Sequence, residues 1–383
     1  MKRSLVKFDI VHPADYLKRK QAEWSDLDEL SLAEYRDRLN ALRSNYSDYY
    51  THHLNATGEW DAEEYYLLDP VFTRKVAREY LTPLGRLRAR ALQRPYRYVW
   101  HTGIGHEMAV AEAYLRERRP DVIFARSQPV PSRWWQRFRD DSLLVARLSA
   151  RLPHQWHPEH FDLVYTDQPD FAKFFRLHGV DTIVNDQGFD ARIQGELIDR
   201  PPRYDVTFVG GLGSENFSER TSFFESIADD VDLLWWGYWW YTGRPMTDYP
   251  ALEGRFRGAT SGLDMYQRFR DSRINLNDYV DTADGIGFNQ RLFECLGSGG
   301  FLLTRRARNL GDVFPEGLFD TFDSRGECLE KVSHYLARPD ERAKMARAGA
   351  DFIRDGYDYS RIAKSFGRDL AERLERKRQI SAA

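Results

Sequence analysis

The sequence predicts an α/β protein made of two Rossmann-like series of parallel strands and helices, and three observations carry that expectation. Short apolar runs of strand length alternate with helical stretches along the whole chain, a pattern that gives parallel sheets with helices on both faces. The alternation is interrupted by a polar, proline-bearing stretch, QGELIDRPPRY, between about Ile193 and Pro202. On each side of it, glycine-bearing turns follow strands and open helices, the place where open α/β sheets bind ligands. At 383 residues the chain is long enough for two ordinary domains, and the break assigns them to 1–195 and 196–383.

In the first domain, Leu5 to Val11 alternates and reads as a strand closed by Pro13. Helices are predicted over Ser31–Asn45, where Ser31 and Glu34 make a capping box, and over Pro70–Arg94. The tyrosines Tyr46, Tyr49, Tyr50, Tyr65 and Tyr66 between them read as packing residues. A strand is predicted over Tyr96–His101, followed by the turn HTGIGHE and a helix to Arg119. Short strands then follow at Asp121–Arg126, Ser142–Leu148, Phe161–Thr166 and Asp181–Asn185, with helices between them. The histidine-rich HQWHPEH holds His154, His157 and His160, but Pro153 and Pro158 forbid a helix that would align them on a metal. It reads as a polar loop.

The second domain opens with a strand over Tyr204–Val209 and a predicted glycine loop of Gly210, Gly211 and Gly213. With Arg220 as counter-charge, that loop is a candidate phosphate cradle. A strand at Val231–Gly237 runs into WWGYWW, whose Trp235, Trp236, Trp239 and Trp240 serve either as core or as stacking surfaces. The centre of the domain is SRINLNDYVDTADGIGFNQRLFECLGSGGFLLTRR, from Ser272 to Arg306. It predicts a strand at Arg273–Asn277, a helix over Gly287–Leu296 with Phe288, Leu292 and Leu296 on one face, and a strand at Phe301–Thr304. The start of that helix is a natural anion site, with Gly285 and Gly287 for close backbone approach and Asn289 and Arg291 as donors. Glu294, a turn further on, suits a ribose diol. Arg291 and Glu294 are equally an ordinary ion pair three residues apart. A strand at Leu318–Phe322 and helices over Gly326–Ala337, Pro339–Asp355 and Ser360–Lys377 complete the chain.

The run Leu276-Asn277, then Asn289-x-Arg291-Leu292-Phe293-Glu294, then Gly297-x-Gly299, resembles the donor-binding core of CgeB-like glycosyltransferases, relatives of the family 4 glycosyltransferases. HPADYLKRKQAEWSDLDELSLAEYRDRL, RPDVIFARSQ, FDLVYTD, YDVTFVGGLGSENFSER and PDERAKMARAGADFIRDGYDYSRI resemble further segments of that family in the same order. The resemblance implies a GT-B architecture, with two Rossmann-like domains facing across a cleft and a last helix returning to the first domain. The chain departs from it at Ile286, where many family 4 enzymes carry a Glu, and at Tyr357-Asp358-Tyr359, where they carry His-Thr-Tyr. It implies a nucleotide-diphosphate sugar as co-substrate, with no separate cofactor, and retention of anomeric configuration; fixed N–H dipoles and arginine side chains can stabilise the leaving diphosphate, so no metal is expected. The donor set is then Gly287, Asn289, Arg291 and Glu294, seconded by Gly210, Gly211 and Arg220. If the reaction inverts instead, a base must come from the first domain, and His101 and Asp167 at strand ends are the candidates.

Composition narrows the alternatives. A net charge of -3 argues against a nucleic-acid partner. Two cysteines, Cys295 and Cys328, make neither a disulfide framework nor a thiolate metal site. No apolar run approaches a membrane span, and the basic start MKRSLVKFDIVHPADY lacks the apolar block of a secretory signal, so a cytoplasmic enzyme is expected. The acceptor is open: glycan, lipid, protein or natural product. The rival readings are an epimerase or hydrolase of nucleotide sugars on the same fold, and a non-catalytic nucleotide-sugar-binding protein.

Overall fold

The computed structural model describes residues 2–44, 47–90, 105–128, 130–148, 156–184, 187–214, 217–240, 244–279, 281, 287 and 289–382. The expected strand 96–101 with His101, and also Gly103, His154, Gly285, Ile286 and Phe288, lie outside the described residues. The chain divides into two compact units: unit 1 is Met1–His12, Lys20–Asp186 and Ser360–Ala383, and unit 2 is Pro13–Arg19 and Gln187–Tyr359.

Unit 1 is built on six parallel strands, β1 (Arg3–Ile10), β2 (Trp60–Leu67), β3 (Val122–Ala125), β4 (Leu143–Arg147), β5 (Leu163–Thr166) and β6 (Asp181–Val184), in the order β2-β1-β3-β4-β5-β6. The short runs VIFA and LLVAR are buried at every position, as strands covered on both faces must be. Phe8 of β1 stacks on Tyr65 of β2 at 4.8 Å and meets the edge of Trp135 at 4.9 Å. The capping box forms as expected: Glu34 N donates to Ser31 Oγ at 3.2 Å, and Ser31 N to Glu34 Oε2 at 2.8 Å.

Two expectations for unit 1 need correction. The predicted helix 70–94 is broken. Its first part is Pro70–Tyr80, Leu81 turns extended, and residues 83–90 are helical again. Pro83 explains the break, because a proline drives the residue before it out of the helical region. Strand β2 was not anticipated, because WDAEEYYL carries three acids. Each has a partner or solvent in the fold: Asp61 is exposed, Glu63 meets Arg36 and Arg118 at 2.7 Å each, and Glu64 accepts from Thr51 and from Asn40.

The long helix Tyr359–Ala382 packs on unit 1. Phe366 lies among Tyr50, Phe124 and Tyr165, with ring centroids 4.8–5.1 Å apart. Asp369 accepts from Tyr165 Oη at 3.0 Å, and Lys377 Nζ reaches Asp162 at 2.7 Å.

Unit 2 has five parallel strands, β7 (Tyr204–Leu212), β8 (Leu233–Trp239), β9 (Ser272–Asn277), β10 (Leu302–Arg305) and β11 (Asp320–Phe322), in the order β11-β10-β9-β7-β8. Its core gathers Val206, Phe208, Phe224, Trp235, Ile274, Leu303 and Phe322. Residues 187–195, read from sequence as the end of the first domain, belong to this unit. Phe189 exchanges backbone bonds with Tyr357 and Tyr359, and Gln194 Nε2 donates to Gly297 O at 2.7 Å. Gly210 and Gly211 stand inside β7, not in a loop, paired with Gly237 and Tyr238 of β8. Of the tryptophans of WWGYWW, Trp235, Trp236 and Trp239 are buried, and Trp240 is 40% exposed.

Candidate functional site

In unit 2 the strand order reverses at β7, whose neighbours β8 and β9 follow it in sequence on opposite sides. The carboxyl ends of β7 and β9 are therefore the switch point, the place where doubly wound sheets bind their ligands. Arg220, in the helix Ser218–Ile227, spans that point. Its Nη2 donates to Gly211 O at the end of β7, and its Nη1 to Asp278 O just after β9 at 3.2 Å. The guanidinium also lies over the ring of Phe217 at 4.1 Å, its Nε has no hydrogen-bond partner, and burial pushes its pKa down to about 10.

Asp278 follows β9 directly. It accepts from Tyr279 N and from Arg305 Nε, both at 2.8 Å. Burial still raises its pKa, outweighing the Arg305 and Arg220 guanidinium groups. Asp281, further along the same loop, accepts from Ser218 Oγ at 2.9 Å and Glu219 N at 3.0 Å. A carboxylate thus occupies the positive end of the Ser218 helix, the arrangement that the macrodipole favours.

A second polar chain crosses the ends of β9 and β10. Asn289 Nδ2 donates to Asn277 Oδ1 at 3.3 Å, and Asn277 Nδ2 to Thr304 Oγ1 at 2.9 Å. Thr304 Oγ1 in turn donates to Tyr279 Oη at 3.1 Å. Asn289 is the N-cap of the helix Gln290–Gly297, which starts three residues later than expected because Asn289 is extended, with φ -129° and ψ 156°. Its side chain makes no capping bond, and its Oδ1 is buried without a hydrogen-bond partner, as is Oε1 of Gln290. Gln290 Nε2 donates to Gly188 O at 2.6 Å, and each orphaned acceptor, costly by on the order of 1–3 kcal/mol, calls for a donor.

Gly287 is buried beside them, with its N–H given to Asn309 Oδ1 at 2.8 Å. A Cβ there would fall 2.3 Å from Ala307 Cβ and 2.5 Å from Tyr279 Cζ, so only glycine fits. Beyond Ala307 an open cavity of about 660 Å³ is lined by Arg306, Leu310, Thr321 and Asp323.

Arg291 and Glu294 form the ion pair that their spacing allows, Nη1 to Oε2 at 2.6 Å, with both side chains largely buried. The same Nη1 lies 2.7 Å from Met265 Sδ, and the guanidinium sits 5.1 Å from the Phe269 ring centroid. Both polar contacts use Nη1, so the Nε/Nη2 edge of the fork has no protein partner among the described residues.

The glycines of the expected second cradle have packing causes. A Cβ on Gly210 would meet Phe208 at 2.7 Å, and one on Gly211 would meet Tyr238 at 2.6 Å. Gly213, at φ 82°, lies against the Trp239 ring.

In unit 1, Asp167 follows β5 and is buried against Arg147, whose Nη2 is 3.5 Å away. His157 pairs with Glu159 at 3.3 Å and His160 Nδ1 with Ser132 Oγ at 2.8 Å. Glu107 stands in the first turn of the helix Gly105–Arg118 and accepts from the Leu68 amide, at a residue held at φ 60°. Burial pushes its pKa up to about 7, and its Oε2 has no hydrogen-bond partner. Sequence reasoning passed over Asp278, Asp281 and Arg305, and set Glu107 aside because it and His106, adjacent on a helix, point in different directions. The signal for Asp278 and Arg305 was present: both stand at the last residue of a strand, or one beyond it, within the stretch already singled out.

Residues 220–367 match the family model described as glycosyl transferase-like, and that span holds the whole Asp278–Glu294 cluster. Among solved structures, the chain is similar to the sucrose-phosphate synthase of Thermosynechococcus elongatus, at 11% identity over all of both chains and a TM-score of 0.54. It is similar also to the Anabaena protein Alr3699/HepE in complex with UDP, at 12% identity over 97% of this chain and 100% of that one, TM-score 0.53. The UDP-glucose complex of the same Anabaena protein gives 14% identity, 97% and 99% coverage and a TM-score of 0.51. No curated protein matches. The fold is GT-B, with a parallel α/β sheet in each of its two units, and unit 2 carries the glycosyl transferase-like region up to Tyr359.

Proposed function

We propose that this chain is a glycosyltransferase that takes a sugar from a nucleotide-diphosphate donor held by unit 2 and passes it to an acceptor, without a metal ion and with retention of configuration. The observation that carries the reading is the orphaned acceptor Asn289 Oδ1, whose side chain reaches the end of β9 at Asn277, with a second orphaned acceptor on the next residue, Gln290 Oε1. Sugar hydroxyls are the donors such atoms lack, and they would take over the grip that a carboxylate at position 286 gives in the resembling enzymes. The UDP-glucose complex of the Anabaena neighbour supports a donor of this class.

The leaving group is a diphosphate whose charge grows as the glycosidic bond breaks. The open Nε/Nη2 edge of Arg291 offers it two parallel N–H donors, and Gly287, whose N–H goes to Asn309 and whose Cα packs on Ala307 and Tyr279, sets the course of the backbone beside it. Glu294, held by Arg291, presents its carboxylate to a ribose diol. Arg220 spends its Nη donors on strand-end carbonyls, so with Gly210 and Gly211 it sets the shape and potential of the switch point. Retention rests on the family resemblance and requires no strong base. Asp167, held by Arg147, and His101 are the groups to test if the product anomer is inverted.

The experiment is a panel of nucleotide sugars, with and without chelator, read as release of free nucleotide. Acceptor-dependent release that survives the chelator supports the proposal. Acceptor-independent release points to a hydrolase, interconversion of the sugar to an epimerase, and binding without turnover to a sensor. Loss under chelator with rescue by a divalent ion overturns the metal-independent step.

A further inference from the structure

Residues 83–90 are helical on unit 1, led by Thr82, whose Oγ1 accepts from Gly85 N at 3.1 Å, with Pro83 at the first helical position. Ala89 is buried and Gly85 and Arg86 are half-buried, so that side faces the unit. The opposite side carries Leu84, Leu87 and Arg88, at the i, i+3, i+4 spacing that puts residues on one face. Leu84 is 57% exposed and Leu87 64%, and Arg88 and Arg90 are exposed. No acidic residue stands between Tyr80 and Arg90, in a chain whose net charge is -3.

We propose that this face docks on an anionic membrane surface, with Leu84 and Leu87 entering the boundary between headgroups and acyl chains and the exposed Arg88 and Arg90 meeting lipid phosphates. The local reversal of charge selects an anionic partner. The outward leucines then select lipid over a nucleic acid or an acidic peptide, since they gain only where an apolar phase receives them. The contact lies on the membrane and not through it, for no helix among the described residues is long and apolar enough to cross one. The inference does not rest on the proposed activity.

The test is co-sedimentation of the full chain with vesicles of phosphatidylcholine alone and of phosphatidylcholine with phosphatidylglycerol. Binding is expected only to the anionic vesicles and weakens as salt is raised. Leu84→Gln with Leu87→Gln lowers the partition coefficient by about tenfold for each leucine. Arg88→Gln with Arg90→Gln lowers it by about fivefold for each arginine. Both double variants melt like the wild type, because the replaced side chains face solvent. Equal binding to neutral vesicles, no binding to anionic vesicles at low salt, or leucine variants that bind undiminished would each overturn the proposal. So would retention on heparin, a soluble polyanion, as strong as on vesicles and indifferent to the leucines.

Discussion

Gly287→Ala tests the geometry of the donor site directly. The added Cβ would stand 2.3 Å from Ala307 Cβ and 2.5 Å from Tyr279 Cζ, more than 1 Å inside ordinary carbon contact at about 3.5–4.0 Å. Neither neighbour can yield cheaply. Ala307 follows β10 within two residues, and the Tyr279 ring is buried, with its hydroxyl accepting from Thr304. The easiest relief moves residue 287 away and breaks its 2.8 Å bond to Asn309. Overpacking costs about 1–3 kcal/mol and the lost bond about 1 more, so unit 2 should lose roughly 2–4 kcal/mol. For a unit of this size that lowers Tm by roughly 5–15 °C. Gly311→Ala is the control: a Cβ there meets nothing within 4 Å, and the change should stay within about 0.5 kcal/mol. Thermal melts followed by circular dichroism measure both, and calorimetric titration with UDP measures what the shifted backbone does to the nucleotide. A Gly287→Ala melt indistinguishable from that of Gly311→Ala would refute the close packing, and unchanged UDP affinity beside a lowered Tm would remove Gly287 from the donor site.

Three further outcomes are expected. Arg291→Lys keeps a charge for Glu294 but loses the Nε/Nη2 fork, so turnover at saturating donor falls by about one to three orders of magnitude, while a rate within twofold of wild type takes Arg291 out of the site. Glu294→Ala weakens nucleotide-sugar binding and frees Arg291 from a partly buried pair; a loss of stability above about 3 kcal/mol, without loss of affinity, makes the pair structural. Glu107 has its pKa raised from 4.5 to about 7 by burial, so the stability of its protonated form is complete below about pH 4.5 and is lost as pH rises to about 7. Glu107→Gln removes that slope: the variant melts above wild type at pH 8 and the gap narrows toward pH 4.5, whereas a constant gap would mean that Glu107 titrates normally.

The parallel strands were legible because burial on both faces leaves little choice of residue: VIFA is apolar throughout, and LLVAR and LVYT are apolar up to their polar last residues, Arg147 and Thr166. Strand β2 was not, since its acids are acceptable only through Arg36, Arg118, Asn40 and Thr51, and partners so far apart in sequence leave no local trace. The glycines show the same limit. Gly210, Gly211 and Gly213 read as a phosphate loop because a sequence displays flexibility and hides neighbours, while the fold sets aromatic rings of Phe208, Tyr238 and Trp239 against them. At the site, spacing named Arg291 and Glu294 but could not choose between pairing and ligand binding. The fold shows the pair formed on one nitrogen and an edge of the fork to spare.

The helix Tyr359–Ala382 carries a consequence for biosynthesis. It supplies Phe366, Asp369 and Lys377 to unit 1, yet from Ser360 on it follows every residue of unit 2 along the chain. On the ribosome, Asp186 therefore waits for the whole of Gln187–Tyr359 to be made before unit 1 receives its final helix, roughly 10–35 s at about 5–20 residues per second. During that interval Tyr50, Phe124 and Tyr165 lack the ring that covers them. The nascent chain is thus most open to chaperones and to aggregation at its beginning, and unit 2, though synthesised later, is the first that can finish folding.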